Sequence, residues 1–111
     1  MKEHGPDAIV SVYALFASDE EAGRIGRALV DERLAACVNI LGPCRSIYRW
    51  QGRIEDATEV AAIFKTRAAT AERLVERIGA MHSYEVPAVV AWPIDATSDG
   101  YGLWVNECVA D

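Results

Sequence analysis

The sequence predicts an α+β fold of the ferredoxin-like kind, in which two helices pack on one face of a four-stranded antiparallel sheet. Two observations carry this prediction. Strand-like and helix-like segments follow one another in the order β-α-β-β-α-β, with a short closing helix, and no helix separates the two central strands. A flavodoxin-like parallel sheet is the weaker alternative, because neighbouring parallel strands need a crossover that this central pair lacks. The 111 residues suit one domain that spans residues 1–111.

The first strand and the first helix are predicted from residues 8–34. Residues 8–16, AIVSVYALF, are β-branched or aromatic and nearly apolar on both faces, which is typical of a central strand. Ser18 and Glu21 have the spacing of a capping box, so a helix is expected over about residues 19–34. Its buried stripe would consist of Ala22, Ile25, Gly26, Leu29, Val30 and Leu34.

The two central strands are predicted to form a long hairpin. Residues 36–40 and 46–50 have strand patterns, and Gly42-Pro43 between them indicates a bulge or bend, because proline cannot donate to a strand ladder. Gln51-Gly52 predicts a two-residue turn with glycine where a positive φ is needed. The returning strand is expected over residues 53–65.

The remaining elements are a helix, a strand and a closing helix. Thr70 is the predicted cap of the second helix, whose apolar face would carry Ala71, Leu74, Val75, Ile78 and Met81. Residues 86–94, VPAVVAWPI, predict a fourth strand with its two prolines at the ends or on an edge. Residues 99–109 predict a short helix with Tyr101, Trp104, Val105 and Cys108 on one side.

The length of the hairpin has a consequence for assembly. At ~3.3 Å per residue, residues 38–50 extend over about 43 Å, whereas a first helix of about fifteen residues spans only about 22 Å. Roughly half of the hairpin must then project beyond the helices, carrying Ile47, Tyr48, Trp50 and Ile54. An exposed apolar edge invites association, so we expect the arm to dock on a second copy in a closed ring. A twisted arm exposed to solvent is the alternative.

Composition excludes several classes of protein. Acidic residues outnumber basic ones 17 to 11, and the formal net charge of −6 argues against a nucleic-acid partner. The longest apolar run, residues 8–17, is about half a bilayer span, and Lys2, Glu3 and Asp7 make a poor start for a secretion signal. The cysteines are Cys37, Cys44 and Cys108, without a C-x-x-C pair. We therefore expect a cytoplasmic protein with reduced thiols and no membrane partner.

Four segments together resemble one known family. They are ALVDERLAACVNI (28–40), SIYRWQGRIE (46–55), EVAAIFKTR (59–67) and HSYEVPA (82–88), and they closely resemble the CutA divalent-cation-tolerance family in order and spacing. The resemblance implies a ferredoxin-like homotrimer, related in architecture to PII signalling proteins, with the hairpin at the subunit interface. It also implies a role in the response to copper or another divalent metal ion, and no enzymatic reaction.

The resemblance places the metal proposal chiefly on His82, with Cys37 as a companion. Imidazole and thiolate both suit copper, and a soft sulfur favours Cu(I). The chain departs from the family pattern at Ser83 and Ala88, where proline and glutamate are usual, and Ser83 is expected to loosen the turn that orients His82. The alternative for His82 is a residue that satisfies the last carbonyls of the second helix. The alternative for Cys37 is a packed core thiol.

Other candidate residues are expected at an interface or in a cleft between subunits. Tyr48, Trp50 and Tyr84 are interpreted as interface or core aromatics. Lys65, Arg67 and Glu85 could form an ion-pair lining between subunits, hold a small anion, or remain solvated. An enzyme would have to use Cys37 with His82, since the other histidine, His4, lies near the terminus, and no local signature supports such a dyad. The absence of a glycine-rich phosphate loop indicates no organic cofactor.

Overall fold

A computed structural model describes residues 5–110 and confirms the α+β ferredoxin-like prediction. The elements are β1 (Ile9–Phe16), α1 (Asp19–Asp31), β2 (Cys37–Trp50), β3 (Arg53–Arg67), α2 (Ala68–Met81), β4 (Val89–Pro93) and α3 (Asp99–Cys108). All three strand pairings are antiparallel, and the strand order is β2-β3-β1-β4. β1 is therefore central, as its two apolar faces predict.

One face of the sheet builds the core with α1 and α2. Every second residue of β1 points into this core, and Val12, Ala14 and Phe16 are completely buried. The helices contribute fully buried aliphatic side chains from their sheet-facing stripes: Ile25, Leu29, Leu74 and Ile78. A smaller cluster around Val105 and Val109 fixes α3 to the start of β1 and β2.

Both ends of α1 follow local rules. The Ser18 hydroxyl accepts the Glu21 N–H at 3.1 Å, as the capping box predicts, while the Glu21 carboxylate accepts the N–H of Ala17, one residue before the cap. The helix ends at Asp31 rather than at residue 34, because Arg33 adopts a positive φ of 61°. The N–H of Leu34 then reaches the carbonyl of Leu29, which is a Schellman end.

The predicted cap of α2 is wrong. The helix begins at Ala68, with Arg67 as its N-cap, and Thr70 lies buried inside the first turn at 2% exposure. The chain before β1 takes over the role of a capping side chain: the N–H groups of Ala68 and Ala69 donate to the carbonyls of Ala8 and Pro6 at 2.8 and 3.0 Å. β3 can therefore run to Arg67 and pass directly into the helix.

The fourth strand is shorter than predicted. β4 covers Val89–Pro93, and residues 83–88 form a connecting segment instead of its first half. The N–H of Leu15 still donates to the carbonyl of Ala88 at 3.2 Å, so the segment remains attached to β1 at that point. Among residues 5–110, none of the helices is long and apolar enough to cross a membrane.

The hairpin has the turn and the bulge that the sequence predicts. Gln51 and Gly52 have φ values of 50° and 80°, the positive values of a type I′ turn. The ladder between β2 and β3 skips Leu41, which makes a bulge beside Gly42. β1 pairs with β3 only as far as Val60, so the strands beyond that point form a projecting arm, residues 44–59. Ile47 and Ile54 on this arm are 63% and 68% exposed, which confirms the apolar projection.

Candidate functional site

His82 follows α2 directly and joins that helix to the end of β1. Its Nδ1 accepts the backbone N–H of Tyr84 at 3.0 Å, and its Nε2 lies 2.7 Å from the carbonyl oxygen of Leu15. Because a backbone N–H can only donate, Nδ1 carries no proton, and Nε2 is the nitrogen that donates to Leu15. The ring stacks on Phe16 with centroids 5.1 Å apart. His82 thus satisfies a carbonyl of β1 and holds the backbone that follows α2.

Glu21 fixes the same corner from the side of α1. Its two carboxylate oxygens accept the N–H of Ala17 at 3.1 Å and the N–H of Ser83 at 3.0 Å. Burial acts to raise the pKa of this carboxyl, but the hydrogen bonds from Ser83 and Ala17, with the nearby His82, outweigh burial and lower the pKa. This contact argues against the expectation that Ser83 loosens the turn. A proline at position 83 would lack the N–H whose hydrogen bond Glu21 accepts.

Cys37 lies at the opposite end of the sheet. Its Sγ is 3.4 Å from the hydroxyl of Tyr101, and burial together with this thiol raises the pKa of Tyr101 to about 12. Cys37 pairs with Lys65, which pairs with Ser11, whereas His82 contacts Leu15, four residues further along β1. At ~3.3 Å per residue this offset is about 13 Å, and two strand spacings add to it. The structure does not bring Cys37 and His82 together.

The surroundings of His82 and Cys37 show whether these two residues fit a metal ion. Both ring nitrogens of His82 are hydrogen-bonded, so ligation through either one would break an existing bond. In the part of the chain that the structure describes, no three His, Cys, Asp or Glu side chains are grouped to hold a metal ion. The thiol and the imidazole therefore do not form one preformed metal site within a subunit, nor a catalytic dyad. His4, the other histidine, lies outside the described residues.

A cavity of about 640 Å³ opens between the projecting arm and the segment after α2. Its mostly apolar lining comes from four places: Leu15 on β1; Ser46, Ile47, Tyr48 and Trp50 on β2; Glu59 on β3; and Tyr84, Glu85, Val86 and Ala88 after α2. The cavity brings together four of the residues predicted to lie at an interface or in a cleft: Tyr48, Trp50, Tyr84 and Glu85. Its volume is within the range of small-molecule sites.

Glu59 of β3 also lines this cavity and was missed by the sequence analysis. Only 6% of the residue is exposed. Burial and the nearby carboxylate of Glu59 raise the pKa of Tyr84 to about 12. The signal available in the sequence was a charged residue at the head of the apolar run VAAIF, which places a carboxylate on a buried strand.

Lys65 and Arg67 lie at the other end of β3. Lys65 is half-buried beside Cys37, and Arg67 donates to the carbonyl of Ala110 at 3.1 Å. Lys65 is six residues from Glu59, which corresponds to about 20 Å along the strand. Within one subunit, the two cations therefore do not share the cavity with Glu85, and a common anion site of these three residues is not formed.

These features define a class of protein. It is a ferredoxin-like domain with a projecting hairpin arm and an aromatic cavity at the base of that arm. The chain belongs to the CutA1 divalent ion tolerance protein family, whose model matches residues 10–108. The names of the family and of its relatives describe tolerance to divalent ions and do not describe an enzymatic reaction.

Individual relatives agree with this assignment. The chain is 46% identical over 90 residues to the divalent-cation tolerance protein CutA of Thermus thermophilus, covering 81% of this chain and 87% of that protein. It is 38% identical over 94 residues to the protein CutA homolog of Danio rerio, covering 85% of this chain. The chain spans 63% of the length of the Danio protein and 53% of the chloroplastic CutA of Arabidopsis thaliana.

Solved structures share the fold. The periplasmic divalent cation tolerance protein CutA from Archaeoglobus fulgidus superposes with a TM-score of 0.88 at 40% identity, covering 92% of this chain and 99% of that one. CutA from Xylella fastidiosa superposes with a TM-score of 0.90 at 33% identity, covering 93% and 99%.

Proposed function

We propose that this protein is a non-enzymatic, homotrimeric divalent-cation tolerance protein of the cytoplasm that takes part in the response to copper and related ions. Family membership supports the link to divalent cations. The observation that carries the assembly is the projecting arm, whose Ile47 and Ile54 would leave large apolar areas in water in a lone subunit. The number of three subunits follows from the resemblance of the hairpin motifs to the CutA family.

A matched pair of variants tests the assembly. Ile54 on the arm and Leu103 on α3 are each 68% exposed in the subunit. We expect sedimentation velocity to give a species of three 12.1 kDa chains, about 36 kDa, for the natural protein and for Leu103→Asp. Ile54→Asp should sediment more slowly, because a desolvated carboxylate opposes docking of the arm. A folded 12.1 kDa species for the natural protein would contradict the proposal.

Copper binding is proposed without a joint His82–Cys37 site in one subunit, because the two side chains lie at opposite ends of the sheet. Competition titrations with Cu(I) and Cu(II) should compare the natural protein with His82→Ala, Cys37→Ser and the double variant. We expect the two substitutions to have independent effects on the dissociation constant. Equal losses in both single variants, with no further loss in the double variant, would show one shared site and contradict this part of the proposal.

The cytoplasmic location is supported by three free thiols, Cys37, Cys44 and Cys108, since oxidising compartments favour disulfides. Fractionation of cells followed by alkylation of the thiols tests it. We expect the protein in the cytoplasmic fraction with all three cysteines reactive after unfolding. Recovery in an oxidising compartment would overturn the location and leave the assembly proposal standing.

A second candidate function is a PII-like regulatory trimer that binds a small ligand or a protein partner in clefts between its subunits. The cavity beside the arm favours it, because this cavity has the volume and the mixed apolar and polar lining of a ligand site. A thermal-shift screen of a metabolite library against the natural protein should then find an organic stabiliser. A library without a stabiliser would count against this candidate and would not affect the copper titration.

A further inference from the structure

α3 is attached to the sheet apart from the main core. Val12 of β1 faces α1 and α2, whereas Ile9 faces the other side of the sheet and belongs to the cluster under α3. The buried residues of this second cluster are Ile9, Ala36, Val105 and Val109. So small a cluster removes much less apolar surface from water than the main core does. The packing of α3 is therefore weak and independent of α1 and α2, which are the conditions for local opening.

The N-terminal end of α3 adds little stability of its own. Its N-cap, Ser98, makes no side-chain hydrogen bond to the first turn, in contrast to Ser18 at the start of α1. Gly100 and Gly102 follow within the first turn, and glycine is unfavourable in a helix because its backbone loses the most freedom there. The helix therefore depends on its small cluster and on what holds its C-terminal end.

Arg33 links the C-terminal end of α3 to the turn after α1. Its Nε donates to the carbonyl of Cys108 at 3.1 Å, and its Nη2 donates to the carbonyl of Glu107 at 2.8 Å. These are two of the last carbonyls of the helix, which lack a partner within it and favour a positive charge. Arg33 has a φ of 61°, where glycine is the unstrained residue, so the hydrogen bonds of its side chain offset a backbone cost.

α3 lies against the thiol of Cys37. The Sγ atom is 3.4 Å from the hydroxyl of Tyr101, and the preceding residue, Ala36, is buried in the same cluster as Val105 of α3. Both contacts are made within one subunit, so they do not depend on how copies of the chain assemble. A reagent or ligand that approaches the thiol from this side reaches it only after Tyr101 has moved away.

We propose that α3 is a releasable cover over the thiol of Cys37, held closed at its C-terminal end by the side chain of Arg33. Opening moves Tyr101 away from Cys37 and leaves the sheet and the main core intact. The cover regulates access to one of the two residues considered for copper, and to that extent it rests on the proposed function. The opening itself requires no metal ion.

Alkylation by N-ethylmaleimide without denaturant, resolved by peptide mass spectrometry, tests the cover on the assembled protein. A covered thiol reacts in the open state, so its labelling rate follows the open fraction. Arg33→Gly removes both side-chain hydrogen bonds and suits the φ of 61°, so the turn after α1 is kept. We expect Cys37 to be labelled about five- to tenfold faster in this variant than in the natural protein.

The other two cysteines are internal controls in the same samples. Cys44 lies on the arm and Cys108 lies on α3 itself. The labelling rate of Cys44 should be the same in Arg33→Gly and in the natural protein. A common increase at all three cysteines would show global unfolding and overturn the proposal. An increase at Cys108 alone would also overturn it, because only the last turn of α3 would then fray while Tyr101 stays on Cys37.

Gly100→Ala tests the cover in the opposite direction. A Cβ at this position meets nothing within 4 Å, so alanine favours the helix without a clash, and Cys37 should be labelled about two- to fivefold more slowly. An unchanged rate at Cys37 in either folded variant would overturn the proposal, including the case in which a neighbouring subunit holds α3 in place. If Arg33→Gly does not fold, Gly100→Ala still decides. The samples contain no metal ion, so this result is distinct from that of the copper titration.

Discussion

The imidazole of His82 is hydrogen-bonded through Nε2 to the carbonyl oxygen of Leu15, at 2.7 Å and across 67 residues of sequence. This contact closes the corner at which β1 ends and the segment after α2 begins. It also removes Nε2 from the set of free metal-ligating atoms. The first consequence is therefore structural, and it can be separated from any effect on copper.

His82→Ala should lower the free energy of unfolding by about 1–3 kcal/mol, because a partly buried carbonyl and a partly buried N–H lose their partner together. His82→Phe keeps the stacking on Phe16 and removes both hydrogen bonds, so it isolates their contribution. Urea unfolding followed by circular dichroism measures both. A loss below about 0.5 kcal/mol in both variants would show that the contact is not stabilising.

Glu21 gives a pH-dependent prediction. The pKa of its carboxyl is lowered in the folded state, so the folded protein binds fewer protons than the unfolded chain between the two pKa values. Its contribution is full above the ordinary glutamate pKa of about 4.3 and is lost as the pH falls through the folded value. Glu21→Gln should be destabilised at pH 7 and should lose part of the acid dependence.

The neighbouring Glu20 is the control for this substitution. It forms an exposed ion pair with Arg24 at 3.6 Å, so Glu20→Gln should change stability by less than about 0.5 kcal/mol at any pH. Unfolding free energies at pH 7 and at pH 3.5 give the comparison. Equal acid dependence in Glu21→Gln and the natural protein would contradict the assignment.

Replacement by alanine should have opposite effects on stability at two glycines of α1. A Cβ at Gly26 would lie 2.8 Å from Val38 Cγ1, whereas a Cβ at Gly23 meets nothing within 4 Å. Gly23→Ala should stabilise the protein by about 0.5–1 kcal/mol through helix propensity. Gly26→Ala should destabilise it by about 1–3 kcal/mol through overpacking against β2. Thermal unfolding checks the pair, and equal shifts in both would show that α1 can move away from β2.

A substitution in the turn of the arm can stabilise the protein without changing a side-chain contact. Gln51 has a φ of 50°, which asparagine tolerates better than glutamine does. Gln51→Asn should raise the free energy of unfolding by a few tenths of a kcal/mol, up to about 1 kcal/mol. Gly52→Ala, at a φ of 80°, should lower it by about 1–2 kcal/mol. An effect of Gly52→Ala within error would show that the arm does not depend on this turn.

Most of the fold could be predicted because its signals are local. The Ser18 cap, the Gln51-Gly52 turn and the apolar alternation of β1 each depend on a few neighbouring residues, and each is observed. The start of α2 could not be read in the same way. Its first N–H groups are satisfied by Ala8 and Pro6, about sixty residues earlier, and the cap preference of Thr70 is overridden.

The residues of the candidate site also differ in whether a local sequence signal predicted them. The aromatics Tyr48, Trp50 and Tyr84 were recognised as residue types and do meet at the cavity. Glu59 escaped because it follows the polar residues of the arm and looks like one more of them, and its effect on the pKa of Tyr84, 25 positions later, has no local signal. Cys37 and His82 were joined by the family resemblance and by their ligand chemistry, and the pairing of β2 with β3 and of β3 with β1 separates them within a subunit.

The bulge at Leu41 gives the long hairpin a position where one residue can be lost without a change in the pairing of the strands. The ladder pairs Ile40 with Ala62 and Gly42 with Ala61, so Leu41 is a surplus residue between two consecutive rungs. Removing it would leave every remaining rung matched, and Tyr48 and Trp50 would stay on the side of the sheet that carries Glu59. Removing a residue nearer the tip would instead reverse the orientation of part of the strand. Natural variation in chain length is therefore expected to accumulate at this point, while the number of residues from there to the tip stays fixed.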